Sequence, residues 1–136
     1  MLLLTFVLLT IDDVVAIHDY VLDDHELQGL AAGKFLDGAL GRVENRLDYG
    51  LITDVFDLGA SYAAAISRAH CFNDGNKRTA FQVMDVVLDL HGVQMAWDTE
   101  VIGQKMVLLA QSKQDDAGFA DWLRQQAYQS AESSGE

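Results

Sequence analysis

Apolar residues recur at helical spacing along almost the whole chain, and no proline interrupts them. Thr10 stands ahead of Ile11, Val14, Val15, His18, Val21 and Leu22, which predicts a first helix with a threonine N-cap. A glycine-bearing loop from Gly29 to Gly33 then leads into a second helix with Leu36, Leu40, Val43 and Leu47 on one face, closed by Gly50. Thr53 is the expected cap of a third helix that turns Phe56, Gly59, Tyr62, Ala63 and Ile66 inward. The fourth runs from about Asn76 to His91, with Gly92 at its end; a fifth follows Asp98 and Thr99, and a sixth follows Asp115 and Asp116 with Phe119, Trp122 and Leu123 as anchors. Between the second and third, "DYGLIT" is the one place suited to a small extended flap. The expected fold class is all-α, a compact bundle of about six helices.

Length and composition sharpen this picture. The 136 residues suit one domain over 1–136, with a core at about 10–128 and a solvated tail at 131–136. The opening "MLLLTFVLLTI" is apolar, but no cationic region precedes it and no A-x-A-like site follows it. Its eleven residues fall well short of a bilayer span of ~20. It is expected to be a buried segment leading into the first helix. No other stretch approaches a span, so no membrane partner is expected, and a single cysteine fits a reducing, cytoplasmic setting. A net charge of -12 also argues against direct nucleic-acid binding, which needs basic surface.

Against that acidity, Arg68, Lys77 and Arg78 gather around "HCFNDGNKRTAF" at 70–81. Gly75 allows a tight turn immediately before a helix, where free N–H groups and the helix dipole favour an anion. Lys77 and Arg78 fall in that helix's first turn, an unfavourable place for cations unless something strongly anionic binds there. A phosphate chain fits. Asp74 at the mouth is an oxygen donor suited to Mg²⁺ bridging phosphates, and His70 is the residue type that exchanges a proton near neutral pH. Base, metal carboxylate, anion cradle and cations together suit transfer from a nucleotide such as ATP. The same residues also fit a plain Asn-Asp-Gly turn with a helix cap and a core histidine, and the residue types alone leave both readings open.

His70-Cys71-Phe72-Asn73-Asp74-Gly75-Asn76-Lys77-Arg78 resembles the signature of the Fic/Doc superfamily, H-x-F-x-[DE]-[AG]-N-[GK]-R, and matches every defining position. "IDDVVAIHD" at 11–19 and "DGALGRVENRLDYGLITDVFDLGASY" at 37–62 extend the similarity, which covers roughly residues 10–128. Members that transfer AMP usually carry glycine where Lys77 stands and a second arginine where Phe81 stands; both departures match the Doc branch. That branch implies the toxin of a type II toxin–antitoxin module. It is a protein kinase that holds ATP the other way round, passes the terminal phosphate to a threonine of elongation factor Tu and arrests translation. A lysine crowding the slot that glycine leaves open gives the reversal a physical reason. Less favoured alternatives are AMP transfer to a protein hydroxyl, or a silent binding domain; Lys77 and Phe81 count against the first, intact His70, Asp74 and Asn76 against the second.

Carried over by position, the resemblance makes His70 the base, Asp74 the Mg²⁺ ligand and Asn76 a phosphate or loop-holding donor. Lys77 and Arg78 would neutralise the phosphates beside Gly75, and Arg68 would face the same site. Tyr49, Gly50, Leu51, Ile52 and Thr53 occupy the place of the family's target-docking flap, whose backbone can pair with an extended strand. Many relatives restrain themselves with an [ST]-x-x-x-E-[GN] motif. No serine or threonine here has glutamate four residues on, so a Phd-like antitoxin acting in trans is expected, its disordered segment folding into a groove between the first helix and the motif helix. Other candidates carry little: His18, His25 and His91 lack metal-ligand spacing, His18 lies on an apolar face as a core or capping residue, and Cys71 is expected to pack rather than react.

Overall fold

In the computed structural model, residues 5–31 and 35–134 are described, with side chains as far as residue 128. Six helices follow one another: α1 (Ile11–Val21), α2 (Leu36–Asp48), α3 (Val55–Ala69), α4 (Asn76–Leu90), α5 (Thr99–Ala110) and α6 (Asp116–Ser134). No strand occurs among the described residues, only a single antiparallel bridge between Leu30 and Phe72. The all-α expectation holds.

The third helix is the axis of the fold. Every residue from Leu58 to Ser67 is buried, and α2, α4, α5 and α6 all pack on it. Small side chains make this possible. A Cβ built on Gly59 would sit 3.4 Å from the Met84 side chain and 3.6 Å from that of Leu88, so glycine lets α3 and α4 approach closely. Leu58, Ile66, Val83, Met84, Val87, Leu109, Phe119 and Leu123 fill the core around it.

Helix ends follow local chemistry. Thr10 caps α1 in a capping box with Asp13, and the Asp98 carboxylate caps α5. At α3 the structure corrects the sequence: Asp54, not Thr53, is the cap, accepting from the Asp57 N–H at 2.9 Å. Thr53 instead donates its N–H and hydroxyl to the Asp57 carboxylate, at 3.0 and 2.9 Å. The helix α6 continues to Ser134, so the expected tail is helical backbone over most of its length; its last two residues, 135–136, lie outside the described residues. So do residues 32–33 of the expected Gly29–Gly33 loop, residue 34 after it, and 1–4 of the apolar opening.

The rest of that opening is a strap rather than a uniformly buried segment. Phe6 and Leu9 pack on the core while Val7 and Leu8 remain exposed. Its backbone is held by Val7 N–H donating to His91 Nε2 at 3.0 Å and Leu9 N–H to the Tyr62 hydroxyl at 2.9 Å. Two side-chain acceptors, the buried Tyr62 and the half-buried His91, therefore take the place of a sheet partner.

Arg124 fastens α6 to the start of α3, donating to both oxygens of Asp54 at 2.8 and 3.0 Å and to Asp57 at 2.7 Å. Burial raises the Asp57 carboxyl, but the Thr53 donors and Arg124 outweigh it and leave the group below its ordinary value. Arg124→Met should cost about 1 kcal/mol at neutral pH, a discounted figure for a partly exposed pair. Because Asp57 sits below its ordinary 3.8, the loss should be full above that pH and fade as acid protonates the carboxyl. Urea unfolding at pH 7 and pH 3 reads this; equal loss at both would contradict it.

Candidate functional site

The motif loop runs from the end of α3 to the start of α4, bracketed by two left-handed residues. His70 closes α3 at φ 50°, and Gly75 opens α4 at φ 77°. Histidine tolerates this region better than most residues; its ring is exposed at the surface. Glycine is required at the second position on two counts, since a Cβ there would lie 3.1 Å from Leu22 in addition to the backbone strain.

Two side chains set the loop's shape. The Asn76 carboxamide accepts from the Phe72 N–H at 3.0 Å and donates to the Phe72 carbonyl at 2.9 Å, which assigns it the loop-holding role. His18, fully buried on α1, stacks on Phe72 with ring centres 3.8 Å apart and planes 10° apart. Its Nε2 lies 2.7 Å from the Asp74 carbonyl oxygen, which can only accept, so the proton sits on Nε2. Nδ1 makes no hydrogen bond among the described residues, the Asp19 carboxylate oxygen being 3.5 Å away. Sequence pattern placed His18 in the core but gave no hint that it supports the motif.

The loop after α1 covers the motif from outside. Ala31 N–H donates to the Cys71 carbonyl at 2.7 Å, and Leu27 N–H to one Asp74 carboxylate oxygen at 2.8 Å. That leaves the other Asp74 oxygen without a hydrogen bond among the described residues. No group of three or more His, Cys, Asp or Glu that could hold a metal occurs among them either. A single uncommitted carboxylate oxygen is the donor set expected for Mg²⁺ held jointly with phosphates, rather than for an all-protein cage.

The N-terminus of α4 differs from those of α1, α3 and α5. Those helices have side-chain caps and an acid in the first turn, whereas α4 has neither. Its first N–H groups therefore have neither a side-chain cap nor a first-turn acid to offset the dipole, and Lys77 and Arg78 stand in that same turn. Lys77 is exposed and has no ion-pair partner among the described residues. Arg78 is engaged: it donates to the Val21 carbonyl at 3.1 Å and to the Glu26 carboxylate, with Asp23 3.7 Å away. Glu26 is a contact that sequence reading missed, because its partner lies 52 positions along the chain.

Arg68, expected to face the same site, is engaged with α5 and the α5–α6 turn in this structure. Its guanidinium donates to the Leu109 and Gln114 carbonyls and to Asp116, each at 2.9 Å, which ties the end of α3 to the α5–α6 turn. With Arg42 and Arg46 it lines a separate cavity. In the segment 49–53, expected to be the flap, Ile52 is buried, Tyr49 and Leu51 are exposed, and Thr53 is tied to Asp57. Cys71 is buried, as expected of a packing residue.

A model of the Fic/DOC family matches residues 8–88, more than half of the chain and including the whole motif loop. The chain belongs to the Fic/DOC family. It is also similar to Protein kinase doc of Escherichia phage P1, with 34% identity over 122 residues that cover 89% of this chain and 95% of that protein.

The hydrogen bond from Arg78, followed by that from the Asp23 N–H, pulls the Glu26 carboxyl from 4.5 down to about 2. The pair's contribution is thus complete above the ordinary glutamate range and lost only as pH falls towards 2. Carboxyl ¹³C titration of Glu26 should show a midpoint near 2; one near 4.5 would mean that Arg78 is not held in solution.

Proposed function

We propose that this protein is a Doc-type toxin, a kinase that transfers the terminal phosphate of ATP to a threonine hydroxyl of a translation factor, elongation factor Tu by resemblance. The observation that carries the reading is the uncapped start of α4, with Gly75 left-handed, Lys77 without an ion pair among the described residues, and His70 on the same short loop. The similarity to Protein kinase doc supports it.

In this reading the phosphate chain lies against the first N–H groups of α4, with Lys77 and Arg78 neutralising its oxygens. The His70 imidazole accepts the proton of the attacking threonine hydroxyl as its oxygen bonds to the terminal phosphorus. The bond from that phosphorus to the bridging oxygen breaks, and ADP leaves. Asp74 would hold Mg²⁺ through its uncommitted oxygen, and the bound ion supplies further neutralisation of phosphate charge. Gly75, Asn76, Phe72 and His18 keep the loop in shape and do no chemistry. Tyr49 and Leu51 flank Gly50 as exposed contacts for the target, with Ile52 as the buried pivot of the flap.

The reading includes restraint by a Phd-like antitoxin. No inhibitory [ST]-x-x-x-E-[GN] motif exists in the sequence. The helix α1 packs directly on α4, and an apolar cleft beside α4 opens instead towards α5. Arrested translation would place the toxin's action in the cytoplasm; no described helix is long and apolar enough to cross a membrane.

The test is incubation with ATP labelled at either the α or the γ phosphorus, together with a cell extract. Label from the γ position alone should reach a protein of elongation-factor size. His70→Ala should lower the rate by ~10²–10⁴-fold while the thermal unfolding curve is retained. Transfer of α label would move the protein to AMP chemistry, and a fully active, folded His70→Ala protein would remove the base from the reading.

A further inference from the structure

Between α4 and α5 lies a cavity of about 250 Å³, open to solvent. Phe81, Ile102, Met106 and Val107 make its walls, and Lys77 and Arg78 stand on its edge. Those two cations are also the first turn of α4, so the cavity begins where the anion cradle ends. Phe81 follows Arg78 by one helical turn. We propose that this cavity seats the base of the nucleotide, with Phe81 as its aromatic wall; the inference rests on the phosphate-transfer reading above and adds the position and selectivity of the substrate.

Three features point to a flat heterocycle. Pockets for whole small molecules run roughly 300–1,000 Å³, so this one is sized for part of a ligand. Its lining is apolar apart from the two edge cations and the Thr99 hydroxyl, which suits a ring that is buried by stacking and carries its charge elsewhere. Phe81 is also held in place before any ligand arrives. Its ring packs edge-to-face on Trp97 with centres 5.3 Å apart and planes 82° apart, and the Trp97 indole N–H donates to Asp85 at 2.9 Å. A nucleotide is the ligand with a stacking ring at one end and a phosphate chain at the other.

Seating the base here fixes the direction of the chain. The phosphates run from Phe81 back over Lys77 and Arg78 towards Gly75, so the terminal phosphate is the one delivered to the loop that carries His70. The cavity thereby selects which phosphorus reacts. It also discriminates poorly between bases, since a site with almost no hydrogen-bonding groups has little with which to reject an isosteric ring.

Gly103 allows a clean test. It lines the cavity within α5, its backbone is not left-handed, and a Cβ built there meets nothing within 4 Å. Gly103→Leu therefore fills the cavity while raising helix propensity. Calorimetric titration of the full chain with ATP, GTP and inorganic triphosphate, alongside thermal unfolding, reads the outcome. The wild-type chain should bind ATP and GTP within about tenfold of each other. Gly103→Leu should weaken both by roughly tenfold or more, on the scale of a lost pocket contact, and leave triphosphate binding unchanged. Phe81→Ala should act in the same direction. Unchanged ATP binding by folded Gly103→Leu would overturn the base pocket and leave the phosphate cradle standing. A wild-type chain that binds neither ATP nor triphosphate would overturn the phosphate-transfer reading and the pocket with it.

Discussion

The contact between His18 and the motif loop is the constraint on which the site depends. A fully buried imidazole donates to the Asp74 carbonyl and stacks on Phe72, so α1 holds the loop at its midpoint. A buried polar group is costly unless it is bonded, which makes this arrangement specific as well as stabilising. Gly75 turns left-handed one residue beyond the held carbonyl, and α4 starts there with its N–H groups free. Asn76 then closes the loop back on Phe72. Backbone geometry, rather than a cluster of side chains, builds the proposed anion cradle.

Electrostatics divides the two cations of that cradle. Arg78 is drawn to Glu26, Asp23 and the end of α1, and the bond to Glu26 raises its own pKa further. Lys77 has no such partner among the described residues and is exposed. In a chain of net charge -12, the acids facing Arg78 hold one motif cation in a fixed place while the other remains open to a ligand. On the far side, Phe81 and α5 supply an apolar wall, so charge and stacking surface lie one turn apart on a single helix.

Sequence disclosed what local chemistry decides. The caps at Thr10 and Asp98, the left-handed glycines 50, 75 and 92, and the inward faces of the helices all depend on neighbours within a turn. The α3 cap was misplaced by one residue because Thr53 and Asp54 are both able caps; the Asp57 side chain, by binding Thr53, leaves the cap to Asp54. The engagement of Arg68 was hidden for a different reason. Two positions before the motif, its charge looks available, but its partners at Leu109, Gln114 and Asp116 lie more than 40 positions away. The Glu26–Arg78 pair was invisible on the same ground, and no periodicity reports such long-range pairing.

The central claim is that the loop between His70 and Arg78 is a preformed phosphate cradle. The most direct measurement is ¹H–¹⁵N shift mapping of the chain titrated with Mg²⁺ and a non-hydrolysable ATP analogue. The account predicts the largest changes at the N–H groups of Gly75, Asn76 and Lys77, with the ring signals of His18 and Phe72 nearly still because the loop does not rebuild. Shifts confined to the Arg42–Arg46–Arg68 cavity, or a wholesale rearrangement of residues 70–76, would contradict it.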